Sequence, residues 1–109
     1  MSSAAKPRLN PQLDPVKLEP TRYRVEFENE RVRVLRINYG PGERSVMHSH
    51  PDGVGIFLTP QHARFAFTTA RSTERHFTAG ETKWLPSAIH LPENLSDKPL
   101  EAVLVELKA

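Results

Sequence analysis

Residues 40–53 read Gly-Pro-Gly-Glu-Arg-Ser-Val-Met-His-Ser-His-Pro-Asp-Gly, a short strand held between two turn signals. Gly40-Pro41-Gly42 sets the start of this segment and Pro51-Asp52-Gly53 sets its end, because glycine and proline punctuate regular backbone. Between them, Ser45 to His50 reads as a strand. Residues two apart on a strand project to one face, so His48 and His50 share a face and their imidazoles can converge on one ion. Val46 falls on the same face, which points that face toward an interior. Buried imidazoles without partners are costly, and a metal or a hydrogen-bond network would satisfy them.

The flanking sequence continues in short strands. Tyr23 to Glu28 alternates Tyr23, Val25 and Phe27 with charged residues, and Glu28-Asn29-Glu30 is a turn. Arg31 to Tyr39 comes next, with Val32, Val34 and Arg36 set against Arg33, Leu35 and Ile37. Beyond Gly53 the strands are Val54 to Thr59, Ala63 to Thr69, Thr73 to Thr78, Glu81 to Leu85, Ile89 to Leu91 and a closing Leu100 to Leu107. That makes about eight to ten strands with glycine, proline and polar turns between them. No segment keeps a 3.6-residue apolar period over three turns. The fold class is therefore all-β, a sandwich or a closed barrel, closure being one way to remove exposed edges. Residues 1–20, with Pro7, Pro11, Pro15 and Pro20, read as a proline-rich arm ahead of one domain over residues 21–109, since no helix runs through four prolines.

Composition narrows the function classes. The 109 residues fit one domain with one modest core. There is no cysteine, which excludes disulfides, thiolate zinc sites and a cysteine nucleophile. The net charge is only +2, and the arginines are dispersed, with Arg31 and Arg33 reading as a solvated strand face. Nucleic-acid binding would require denser basic clustering with interleaved aromatics. The apolar runs fall far short of the roughly 20 residues that span a bilayer, and residues 1–20 carry no apolar leader, so a cytoplasmic protein without membrane contact is expected. No serine sits in a strained nucleophile turn and no glycine loop is built to cradle phosphate. Phe57, Phe65, Phe67 and Trp84 read as core, Asn94 as a structural hydrogen-bonding residue, and Gly42, Gly53 and Gly80 as turn glycines.

Of the five histidines, His90 lies 40 residues beyond His50, a separation that suits a ligand from a strand neighbouring in space. Three neutral nitrogen ligands with open positions describe a catalytic rather than a structural metal site. The residues around these histidines resemble the cupin family. Its first motif begins with glycine, five residues and His-x-His, and here Gly42 is followed by five residues and His48-Ser49-His50. Its second motif runs from a glycine through proline to histidine and asparagine, matched here by Gly80, Pro86, His90 and Asn94. The resemblance spans roughly residues 32–107. Two departures stand out. The family's glutamate ligand would fall at Val54 or Gly55, neither of which ligates through a side chain, and the second motif is one residue short between Pro86 and His90.

The resemblance implies a double-stranded β-helix, a jelly-roll-like barrel, with His48, His50 and His90 as a three-histidine metal site. It implies a divalent transition metal, iron first, with zinc, nickel, copper or manganese as alternatives. The implied activity is that of an Fe(II)-dependent dioxygenase acting on a small oxygenated, diketone-like molecule. The alternative is a non-catalytic cupin that binds or senses a small molecule. A homodimer is implied as well. Asp52, Gln61, His62, His76 and Glu93 are the candidates for a fourth ligand, and none is expected to serve.

Overall fold

The alternating pattern that begins at Tyr23 folds as a hairpin. β1 (Tyr23–Glu28) pairs antiparallel with β2 (Val32–Tyr39). Asn29 closes the turn between them, its side-chain oxygen accepting from the backbone N–H groups of Arg31 and Val32. In this computed structural model, which describes residues 11–108, seven further strands come after it: β3 (His48–His50), β4 (Gly53–Phe57), β5 (Gln61–Phe67), β6 (Ser72–Phe77), β7 (Thr82–Leu85), β8 (Ala88–Asn94) and β9 (Leu100–Leu107). They form two antiparallel sheets, one ordered β1-β2-β9-β4-β7 and the other β3-β8-β5-β6. The inner faces meet as a jelly-roll-like barrel. The expected all-β class and most strand positions hold. The strand carrying the histidine pair is shorter than expected, beginning at His48 rather than Ser45.

Alternation places the core. On β9 the inward residues Leu100, Ala102 and Leu104 are buried and pair across β2 with Tyr39, Ile37 and Leu35. Tyr23, Leu35, Tyr39, Leu100 and Leu104 form one cluster. Phe57, Phe77 and Ala102 form a second, with the two phenylalanine rings stacked at 3.8 Å. Gly42 and Gly80 serve turns as expected, at φ +70° and +85°. Gly53 does not. It lies buried within β4, and a Cβ there would run into the backbone carbonyl of Val105 on the neighbouring strand. Trp84 is also displaced from its expected place in the core. It faces outward opposite Val54 and is 55% exposed.

Residues 11–18 of the expected proline-rich arm are helical for the most part. A 3-10 turn (Pro11–Leu13) leads into α1 (Pro15–Leu18), which packs on β1 and β3. Asp14 caps this helix by accepting from the Val16 N–H, and Pro15 occupies the first helical position, where its missing donor costs nothing. Residues 1–10 of the arm lie outside the described residues. The helix packs against β3, and all three residues of that strand are buried, Ser49 included.

Arg33 corrects the reading of a solvated arginine face. It is only 8% exposed and lies on the inward parity of β2. Its guanidinium donates to both carboxylate oxygens of Asp14, at 2.9 and 3.0 Å, and through Nε to Glu106 at 2.9 Å. Burial opposes its charge, but these two carboxylates more than offset that and hold its pKa above the usual value. Alternation assigned the face correctly, and solvation was the wrong inference from it. We expect Arg33→Ala, which leaves two carboxylates without their cation, to cost about 3–5 kcal/mol of unfolding free energy in urea titrations. Loss within about 0.5 kcal/mol of zero would show that the network carries no stability.

Candidate metal centre

Strand pairing brings the three histidines together. β3 lies against β8 in a register that sets His48 directly opposite His90 and His50 opposite Ala88. His48 and His90 are thus cross-strand neighbours, while His50 is the same-face neighbour of His48 one pleat away. The three rings are mutually edge-on, with centroids 4.7, 5.1 and 5.2 Å apart. One nitrogen from each lies within 4.8 Å of the others. Ligands about 2.1 Å from an ion stand no more than about 4.2 Å apart, so a small inward movement suffices to close the set.

Each histidine is prepared differently. His50 donates from Nδ1 to Glu106 at 2.9 Å, and the carboxylate can only accept, so Nε2 keeps its lone pair. His48 donates from Nδ1 to the Val46 carbonyl at 2.9 Å, which again leaves Nε2 as the acceptor. The Tyr23 hydroxyl, 3.3 Å away, donates to that lone pair and is itself bonded to the Tyr39 hydroxyl at 2.5 Å. Burial raises both phenols, Tyr39 to about 12, so both stay protonated at neutral pH. His90 Nε2 is buried with no hydrogen-bond partner. Phe65 and Phe67 stand beside its ring, with centroids at 5.3 and 6.4 Å. Burial, then the proximity of His50 and His48, pushes the His90 pKa down to about 2, so this imidazole is neutral.

Val46, whose parity pointed the histidine face inward, is itself 47% exposed because it precedes the strand. The face is nevertheless interior, since His48 and His50 are both buried. The place of the absent glutamate is also explained. Gly55 faces inward, but a Cβ there would lie 2.8 Å from Leu85 Cδ1, so Leu85 fills the space a longer side chain would need. The other candidates for a fourth ligand are engaged elsewhere. Asp52 accepts from the Ser87 backbone, Gln61 donates to the Glu101 carbonyl, and Glu93 lies 3.5 Å from Arg64. His62 and His76 stack on each other, His62 also bonding Glu74.

Glu106, Tyr23 and Tyr39 belong to the site although no motif marks them. Each had a signal in the alternation: Glu106 continues the inward series Leu100, Ala102, Leu104, and an acid at an inward position implies a buried partner. The site opens on a cavity of about 390 Å³ with largely aromatic and aliphatic walls.

No protein-family model matches the chain, and no curated protein sequence is significantly similar to it. Solved structures do match. A cupin domain protein from Bordetella pertussis Tohama I is 28% identical over 80% of this chain and 92% of that one, with a TM-score of 0.73. An RmlC-like cupin family protein with a double-stranded β-helix fold from Methanocaldococcus jannaschii is 14% identical over 99% and 86%, at 0.62. A conserved protein with a double-stranded β-helix domain from Klebsiella pneumoniae is 21% identical over 79% and 70%, also at 0.62. With two facing antiparallel sheets and His48, His50 and His90 clustered on β3 and β8, the chain has the double-stranded β-helix fold of the cupins and carries a three-histidine cluster.

Proposed function

We propose that His48, His50 and His90 hold a divalent transition metal and that the protein is a metal-dependent cupin acting on a small oxygenated molecule. The observation that carries this reading is the buried, unpartnered Nε2 of His90, beside two histidines whose Nδ1 atoms are already spent on Val46 and Glu106. A buried imidazole nitrogen without a partner is costly, and a metal bound there satisfies it. Imidazole suits iron, zinc, copper and nickel, and iron(II) is the first to test. When bound, iron would supply a Lewis-acidic centre with open positions for a substrate oxygen and dioxygen. Glu106 fixes the His50 ring and its tautomer, as carboxylate partners of ligating histidines do. Phe65 and Phe67 give the His90 side of the site an apolar wall.

Metal analysis of protein purified without added metal should find about one transition metal per chain, and His48→Ala or His90→Ala should remove most of it. The iron(II)-loaded protein should consume oxygen with diketone probes. Metal content near zero, unchanged by both substitutions, would sink the site. Full metal occupancy with no turnover, but with thermal stabilisation by a bound probe, would favour the non-catalytic binding reading.

The neutral state of His90 gives a pH dependence. In the unfolded chain a histidine takes up its proton near pH 6.5, whereas folded His90 resists protonation down to about 2. The unfolded state therefore binds more protons between those values, and stability is complete above about 6.5 and falls as the solution is acidified. The urea midpoint of chelator-treated protein should drop between about pH 7.5 and pH 5, and the drop should be smaller in His90→Gln. Equal drops in both proteins would contradict the assignment.

A homodimer completes the proposal. One row of the outer face of the five-stranded sheet is apolar on every strand, beside an ion-paired patch of Arg36, Glu26 and Glu101. Phe27 pairs with Val34, Val34 with Val105, Val105 with Val54, and Val54 with Trp84. Phe27 and Trp84 are 53% and 55% exposed at the two ends of this row. A second copy meeting the same face by a two-fold axis would cover it. Light scattering should give twice the chain mass, shifting toward monomer in Trp84→Glu; a monomeric wild type would refute the dimer.

A further inference from the structure

Two cations face the cavity from opposite sheets. Arg75 pairs with Ala63, a buried inward residue of β5, so Arg75 stands at an inward position of β6, between Thr73 and Phe77. Lys83 pairs with Gly55, a buried inward residue of β4, so Lys83 stands at an inward position of β7. β6 and β7 are the edge strands of their sheets and are joined by the short turn at residues 78–81. Arg75 lies three residues before that turn and Lys83 two after it, so both flank the same opening. Both side chains are exposed, and both line the cavity that contains His50 and His90.

Among the described residues, one carboxylate, Glu81 of the turn, pairs with Lys83 at this opening, and none pairs with Arg75. Glu106 is committed to Arg33 and His50 at the opposite end. Glu93 also lines the cavity, but it pairs in register with Arg64 and its carboxylate lies toward that guanidinium. Glu81 forms an ion pair with Lys83 at 3.6 Å, with its other oxygen held by the Thr78 N–H, so this opening keeps the unpaired charge of Arg75. Arg75 has no ion pair among the described residues. Between this basic opening and the histidines, the walls are apolar, with Ala63, Phe65, Phe77 and Leu104 among them. Along β5 the row of Arg75 lies four residues from the row of His90, or about 13 Å.

We propose that the cavity selects an amphiphilic organic anion, a carboxylate on an aromatic or aliphatic body, with its charge between Arg75 and Lys83 and its apolar part directed toward the histidines. This rests on the metal-dependent reading only for what happens at the far end; the selection itself needs no metal. A fork of guanidinium donors matches a carboxylate, and an apolar body replaces water along the phenylalanine walls.

The test uses chelator-treated full-length protein and three probes of one shape: 3-phenylpropanoate, its amide and 3-phenylpropylamine. Calorimetry should show the carboxylate binding about tenfold or more tighter than the amide, with the amine weakest. That preference should weaken with added salt and fall to within about twofold in Arg75→Gln/Lys83→Gln, whose metal content should match wild type. Equal affinity for acid and amide, no binding of any probe, or a preference unchanged in the double variant would overturn the proposal. Should the double variant fail to fold, Arg75→Lys keeps the charge and loses the fork, and a reduced preference there carries the same meaning. Failure of the metal reading shows instead in metal content that does not respond to His48→Ala, an outcome that leaves the carboxylate preference free to stand or fall.

Discussion

The structure depends on one buried carboxylate. Glu106, 1% exposed, accepts from Arg33 on one oxygen and from His50 on the other. Arg33 in turn holds Asp14, the residue that caps α1. A single chain of charged hydrogen bonds thus runs from the N-terminal segment through β2 and β9 to a histidine of β3. Each member would be expensive to bury alone, and each is acceptable because the next is present. The network joins the architecture to the site: the contact that fixes the His50 ring also secures the segment before β1.

The two faces of the five-stranded sheet do different work. Its inward residues form the core and the basic side of the cavity opening, while the outward row from Phe27 to Trp84 is apolar and partly exposed. The four-stranded sheet supplies the histidines, the rings around His90 and the second cation, Arg75. The cavity is therefore polar at both ends and apolar between, an arrangement that orients an elongated ligand before any chemistry occurs.

Neither position of the motif's glutamate supplies a ligand. At Gly55 the space beyond Cα is occupied by Leu85, and at Val54 the side chain points out of the barrel. The Tyr23 hydroxyl reaches His48 Nε2 and is bonded in turn to the Tyr39 hydroxyl.

Local chemistry made much of this legible along the chain. Period-two alternation and proline–glycine punctuation depend on nearby residues only, so the strands, their inward parity and the shared face of His48 and His50 are properties of residue order. His90 enters by motif resemblance, since spacing alone names no partner. Two of the misreadings concern partners distant in the chain. Arg33 reads as solvated because Asp14 and Glu106, 19 residues before it and 73 after it, are invisible to alternation. Gly53 reads as a turn residue because the carbonyl of Val105 approaches it only after β4 and β9 pair. Trp84 reads as core because aromatic character does not reveal parity in so short a strand. Residue order thus set which side chains share a face. Which faces meet water, which charges are buried together and which residues of different sheets line one cavity were settled only when the sheets closed, because those relations are distances through space.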